Sequence, residues 1–339
     1  MDILLIGGTR FIGRALWQRL LRRGHRVTIL HRGNHPLTMA PAEIEEISWD
    51  RARFPEVPTA LRGRTFDVAV DTCANEAGEV SRLLAASLAK RLILISSLDV
   101  YRAFGTVLAD QAPTDPVPFS EDAPIRSNRY PFKDIVPGKE KYEKIDCELE
   151  ALSSKQVEPV VLRLPFVYGP YDYQCREWFF LRRFLRNKPV VLGGCGAWLG
   201  TRVYVDEVAA AVELCATHPK AIGEIYLLGE PSTPTLYQMA YQIAEAANLP
   251  GEVQEIPDAF LPQHLANYIT RPQHLLVSSE KIRQELGYRE QKSPRENLQE
   301  TVRWHMAHPP HQTEDKRHEE ELAEAQAIQA AKDFLNRPL

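Results

Sequence analysis

The chain opens on Ile3-Leu4-Leu5-Ile6, a short apolar run that breaks off at Gly7-Gly8. From Phe11 the apolar residues return at helical spacing, as Phe11, Ile12, Ala15, Leu16 and Leu20. An unbroken apolar run bounded by glycine is the pattern of a central parallel strand covered on both faces. Strand, glycine turn and helix in that order make the first half of a dinucleotide-binding βαβ unit. Glycine lets the main chain approach a pyrophosphate, and the free N–H groups of the helix start point at it. Gly7, Gly8, Thr9, Arg10, Phe11, Ile12 and Gly13 are therefore the candidate cradle.

At 339 residues the chain has length for one large α/β domain, or for a domain with a smaller lobe. Its 41 basic and 45 acidic residues leave a net charge of −4, which makes no electrostatic case for nucleic acid or an anionic membrane. The cysteines (Cys73, Cys147, Cys175, Cys195, Cys215) are scattered without zinc spacing, so reduced thiols and no metal site are expected. The first strand begins almost at Met1, with no cationic leader before it, and no apolar run is long enough to span a bilayer. The expectation is a soluble cytoplasmic protein.

A second strand, Val27–Leu30, ends in His31-Arg32-Gly33. This lies about 20 residues past the glycine turn, where an acid would hold the ribose 2′-hydroxyl of NAD. Arg32 stands there instead, and Arg10 sits inside the turn. Two guanidinium groups near a ribose suit a 2′-phosphate, so NADP is favoured, with NAD as the alternative. A third strand over 44–50 would place Asp50 and Arg51 beside the adenine of a doubly wound sheet, although a plain loop acid is an open alternative. After the fourth strand, Phe66–Asp71, the small residues Thr72-Cys73-Ala74 let a cofactor backbone pass close. A helix over 78–89 precedes the fifth strand, 91–95, which runs out in Ser96-Ser97-Leu98-Asp99-Val100-Tyr101. Residues 105–138 read as a proline-rich loop placed to cover a substrate. Further on, helices are expected over 139–152 and 177–187, with a strand at 163–168 between them. Asp206 is expected to cap a helix through Cys215, and Thr235 one through Ala247. The stretch 312–339 reads as an extra helix that packs on the body or on a second chain. A homodimer is one assembly this allows.

The glycine turn, the βα alternation and the Ser-Ser-x-x-Val-Tyr strand end resemble the extended short-chain dehydrogenase/reductase family, of the epimerase/dehydratase type. The likeness continues in Glu121-Asp122-Ala123-Pro124, in Leu162-Arg163-Leu164-Pro165-Phe166-Val167-Tyr168-Gly169-Pro170 and in Val203-Tyr204-Val205-Asp206-Glu207-Val208. It reaches Gly223–Gly229 and Ser279–Tyr288, covering nearly all of residues 1 to about 305. The resemblance implies an α/β fold: a Rossmann-like doubly wound parallel sheet with a smaller mixed α/β substrate lobe. It implies a dinucleotide domain over 1–165, with contributions from about 200–225, then a substrate lobe over 166–310 and a helical extension over 311–339. Arg10 replaces the middle glycine of the usual turn. The form Gly-Gly-Thr-Arg-Phe-Ile-Gly resembles an atypical branch that includes the chloroplast stem-loop-binding ribonucleoproteins, some of whose members are associated with RNA.

The family's reaction uses a tyrosinate base, a lysine four residues later and a serine or threonine. Ser97 matches the serine, four residues before Tyr101, and Lys144 is the best match for the lysine. Glu140, not tyrosine, stands four residues before Lys144. Tyr142 is two residues away, about 200° round on a helix. Choosing Lys141 instead puts Pro137 at the tyrosine place. Tyr142 on a distorted or shifted helix start, Glu140 as a carboxylate base, or a loop tyrosine (Tyr130 or Tyr101) would each repair the relay. Asp99, two residues after the serine, is a further acid/base candidate. The resemblance also puts Cys73, Ala74, Lys144 and Pro165 beside the cofactor and Tyr101, Tyr168 and Arg202 beside the substrate. Arg202 stands two residues from the place where relatives carry a phosphate-binding arginine, which Gly200 fills. The activity implied is NADP-dependent hydride transfer on a hydroxyl or carbonyl of a sugar-like or nucleotide-linked molecule. The alternative is a redox-inactive dinucleotide-binding sensor or RNA-associated protein.

Overall fold

The computed structural model describes residues 1–37, 41–51, 53, 56–109, 111–113, 115–265, 272–311 and 314–336, the side chain of Cys195 excepted. Gln312, Thr313 and 337–339 of the expected terminal helix lie outside them.

Seven strands form one parallel sheet: β1 (Asp2–Ile6), β2 (Arg26–His31), β3 (Ile44–Ser48), β4 (Phe66–Asp71), β5 (Ala89–Ser97), β6 (Glu158–Leu164) and β10 (Ile225–Leu227). Their order is β10-β6-β5-β4-β1-β2-β3. The chain reverses its direction of winding between β1 and β4, so a crevice opens at their carboxyl ends. Both faces of β1 are covered, which is why Ile3, Leu4, Leu5 and Ile6 need no polar alternation. On one face α1 (Phe11–Arg22) packs on α6 (Val205–Thr217) through Ala15, Leu16, Leu20, Val208 and Val212. On the other, α2 (Ala77–Ala85) packs on α4 (Lys144–Ser153) through Val80, Leu84, Cys147 and Ala151.

Several expected boundaries move. The strand expected over 163–168 splits at Pro165, which has no N–H to give a ladder. β6 stays in the large sheet, while β7 (Phe166–Tyr168) leaves to pair with β9 (Arg202–Tyr204). The helix expected from 139 starts at Lys144, because the Glu143 side chain accepts from Ile145 N (3.0 Å) and caps it there. Asp206 lies inside the first turn of α6 rather than at its cap, which is Tyr204. Thr235 does cap α7 (Leu236–Ala247), in a reciprocal box with Gln238. Within the expected loop, α3 (Arg102–Leu108) adds a helix.

A second core joins α5 (Trp178–Phe184), α7, α9 (Pro294–Ala307) and the strand β8 (Val190–Leu192), which pairs with β11 (Val253–Glu255). It is built from Phe180, Leu181, Phe184, Ile243, Leu298 and Val302. Short α8 (Glu280–Leu286) returns to the large sheet, resting on β10. The terminal helix α10 (Glu314–Leu335) lies on the body of its own chain. Arginines in and just after α5 grip it: Arg182 holds Glu320 (2.6 Å), Arg183 holds Glu324 (3.0 Å) and Arg186, past the helix end, holds Glu321 (2.6 Å). Among the described residues no helix is long and apolar enough to cross a membrane.

Candidate active site

The glycine turn sits at the mouth of the crevice. Gly7 has φ +88°, a conformation glycine adopts without cost, and its N–H donates to Leu30 O (2.9 Å). A Cβ on Gly13 would stand 2.3 Å from Gly7 O and 2.6 Å from Gly8 Cα. Glycine at 13 is thus what lets α1 begin against the turn, leaving the turn's backbone open toward the crevice. The cleft holds about 300 Å³ and is bordered by Thr9–Gly13, Arg32, His35, Asp50 and Cys73. These residues fit an extended dinucleotide: a glycine cradle for a diphosphate, with cationic side chains at the ribose end.

Arg32 is exposed on the rim. Arg10 lies 4.5 Å from the Tyr173 ring centroid, with Nη1 3.5 Å from His35 Nε2. Arg51 lines the cleft, but its guanidinium is taken up by protein carboxylates. It donates to Asp71 (2.5 and 3.2 Å) and lies 3.1 Å from Glu79. Burial pushes Asp71 up, but the Arg51 charge and hydrogen bonds hold it below the usual carboxylate range. Arg51 therefore shapes the wall and offers no free fork to a phosphate.

One strand further along the same sheet edge, β5 ends beside β6, with Ser97 opposite Leu164. Ser97 Oγ accepts from Asp99 N (3.2 Å) and caps a short 3₁₀ turn over 98–100, which turns the Asp99 carboxylate inward. There Tyr142 Oη donates to Asp99 Oδ2 at 2.6 Å, while Asp99 Oδ1 is buried without a hydrogen-bond partner. Tyr142 reaches this place because it precedes α4 in the chain. The separation of an ideal helix does not apply to it. Lys144, the first helical residue, donates to Ala74 O (2.6 Å) and Ile95 O (3.0 Å). Its Nζ lies 5.8 Å from the Tyr142 ring centroid, and that of Lys139 lies 4.1 Å away. Burial pushes the Asp99 carboxyl up, against the opposing pull of Tyr142, Lys144 and Ser97. Burial, then the neighbouring Asp99 charge, raise Tyr142 well above the ordinary phenol range.

Two residues that motif reasoning missed pin this arrangement. Arg126 Nε donates to Asp99 O (2.8 Å), and its fork grips Glu143 (2.6 and 3.0 Å), the cap of α4. One buried pair thus ties the strand end bearing Asp99 to the segment bearing Tyr142. No local pattern announces Arg126, which stands with Arg129 in a proline-rich stretch. The other repair candidates lie elsewhere. Glu140 is exposed and accepts from Gly138 N (2.9 Å), and Tyr130 is exposed. Tyr101 is buried, its hydroxyl accepting from Arg163 (2.7 Å) and facing Glu121 O (3.4 Å), so it offers no free group to a substrate.

Pro165 is buried at the join of β6 and β7, where Arg202 of β9 stands opposite Phe166 and Tyr204 opposite Tyr168. Tyr168 Oη donates to Glu230, and Arg202 lies 4.8 Å from the Tyr168 ring centroid. Arg202 Nε stands 3.5 Å from Glu230 Oε2.

Comparison with known proteins agrees with the fold. The chain is 28% identical over 304 residues to the chloroplast stem-loop binding protein of 41 kDa b of Arabidopsis thaliana, covering 85% of this chain and 74% of that one. It is 26% identical over 275 residues to a 2-alkyl-3-oxoalkanoate reductase of Shewanella oneidensis, covering 74% of this chain and 67% of that one. The fold matches a dTDP-glucose 4,6-dehydratase of Bacillus anthracis solved with NAD, at TM-score 0.69 and 18% identity, over 91% of this chain and 97% of that one. It also matches a UDP-glucose 4-epimerase of Thermotoga maritima solved with UDP-glucose, at TM-score 0.68 and 18% identity, over 91% of this chain and 99% of that one. Residues 3–229 match the family model itself, and the chain belongs to the NAD-dependent epimerase/dehydratase family.

Proposed function

We propose that the chain is a dinucleotide-dependent oxidoreductase acting at a carbon that carries a hydroxyl or carbonyl oxygen. A nicotinamide dinucleotide, when bound, supplies the hydride acceptor or donor. The glycine turn would receive its diphosphate, and Arg32 with Arg10 the 2′-phosphate of NADP, preferred here over NAD because no acid stands at the end of β2.

The Asp99–Tyr142 hydrogen bond of 2.6 Å carries the reading. A resting tyrosinate is the wrong form, because burial and Asp99 hold the Tyr142 proton on. The Asp99 carboxylate is instead the base, and Tyr142 the conduit. In the oxidative direction the substrate hydroxyl gives its proton to Tyr142 Oη as Tyr142 gives its own to Asp99. The carbon loses a hydride, two electrons with one proton, and becomes a carbonyl. Reduction runs the same steps backwards. The Lys144 charge favours the deprotonated form of Asp99, and Ser97 orients the reacting oxygen.

Asp99→Asn and Tyr142→Phe should each lower kcat by about 10²- to 10⁴-fold on a panel of hydroxyl and carbonyl compounds, with NADP affinity retained. Wild-type protein that exchanges no hydride with any member of the panel, or variants as fast as wild type, would sink the reading.

Similarity to a stem-loop binding protein favours a second reading, an RNA-associated dinucleotide-binding protein. The net charge of −4 weighs against it. RNA binding through phosphates would weaken steeply with salt in a gel-shift titration.

A further inference from the structure

Off the carboxyl ends of β5 and β6 lies a second cavity of about 330 Å³. Its walls are largely apolar, with Phe104, Phe166, Phe180, Trp198, Leu236 and Met239 among them. Ring contacts connect it to the proton pair: Phe104 stands 6.1 Å from Phe132, which stands 5.2 Å from Tyr142. Arg202 also lines it, 5% exposed, with Nε and Nη1 buried and without a hydrogen-bond partner. Glu177 lines it too, 2% exposed, and its Oε2 is likewise without a partner.

We propose that this cavity takes an amphipathic hydroxy or oxo acid, its alkyl chain or ring among the aromatic walls and its one carboxylate on Arg202, and that it rejects nucleoside diphosphates. The proposal rests on the oxidoreductase reading and names its substrate class. A buried guanidinium with unused N–H groups is costly until an acceptor arrives, and its planar fork matches a carboxylate. Glu230, 3.5 Å from Arg202, and Glu177 already set two carboxyl groups beside it. A single further carboxylate can share that arginine, whereas a diphosphate brings more negative charge than Arg202 and Arg176 can offset against these acids. The remaining surface rewards apolar contact.

Calorimetry on the full chain, with and without NADP, tests this against a series of straight-chain 3-hydroxy acids of increasing length and against UDP and UDP-glucose. Affinity should rise about three- to fourfold per added methylene until the cavity fills, with no heat from UDP or UDP-glucose. Arg202→Met should weaken acid binding by about ten- to a hundredfold while sparing the matching n-alkanols. Met239→Trp, which fills the cavity and leaves every charge in place, should abolish the chain-length gradient, and it carries the test if Arg202→Met does not fold. A flat series, or UDP-glucose bound more tightly than every hydroxy acid, overturns the proposal. Heat reports binding independently of turnover. Acids that bind with the gradient but are never oxidised would therefore uphold the cavity's assignment and refute the redox reading, and hydride exchange on UDP-glucose would do the reverse.

Discussion

Gly13 shows how little freedom single positions have here. Gly13→Ala would drive a methyl group to 2.3 Å from Gly7 O, a backbone atom that cannot swing aside. α1 must then shift off the turn, at a cost of about 1–3 kcal/mol read by urea unfolding, with loss of dinucleotide affinity in calorimetry. Arg32 is a different case: it is exposed on the cleft rim, and the proposed function gives it the 2′-phosphate to read. Arg32→Asp should weaken NADP far more than NAD, and an unchanged ratio in parallel titrations would remove Arg32 from the site. His305 is fully buried beside Trp178 and Trp304, with Glu177 Oε2 at 3.9 Å, and burial lowers its pKa from 6.5 to about 4. The unfolded chain then binds a proton that the folded chain refuses, so this contribution to stability is complete above pH 6.5 and drains away as pH falls toward about 4. Burial raises the neighbouring Glu177, which acts with the opposite sign, its contribution being lost as pH rises. Comparing wild type with His305→Phe isolates the histidine: the variant should lose less stability between neutral and mildly acid pH, in urea midpoints measured at both.

At the scale of elements, legibility followed how local each cause was. β1 and β4 could be read because a doubly covered strand is an apolar run, and Gly7-Gly8 marks its end. The box at Thr235 could be read because cap and partner lie three residues apart. Asp99 and Tyr142 were both on the list of candidates, but their contact was not visible. It depends on where α4 begins, and that is set by Glu143 answering to Arg126, 17 residues earlier. α3 was hidden by the prolines that follow it, and the split of β6 from β7 by the partner strand β9, which lies far along the chain. The terminal helix shows the same limit, since spacing gave the helix but not what it rests on. Arg183→Met would leave Glu324 buried with His264 (2.9 Å) as its one ionisable partner among the described residues. The expected cost is about 3–5 kcal/mol in chemical denaturation, the penalty of an uncompensated buried charge. A variant as stable as wild type would show that α10 is not held by this pair.

Across the whole molecule, one sheet edge organises everything. The strand order sets the ends of β1 and β4 side by side, where the dinucleotide is proposed to bind, and the ends of β5 and β6 next to them, beside the proposed proton pair. The aromatic cavity adjoins along the same edge. Occupancy of the first crevice should therefore register in the stability of the entire chain. At NADP a hundredfold above its Kd the gain is about 2.7 kcal/mol, visible as a rise in Tm that saturates as a single site would. A melting curve indifferent to both dinucleotides would count against the cradle. The Asp99–Tyr142 contact has a consequence of its own. In the proposed relay two hydrogens change owner in one event, the first leaving the substrate and the second crossing to the carboxylate. In mixtures of light and heavy water the turnover rate should therefore fall along a bowed curve, where a lone proton in flight would trace a straight line.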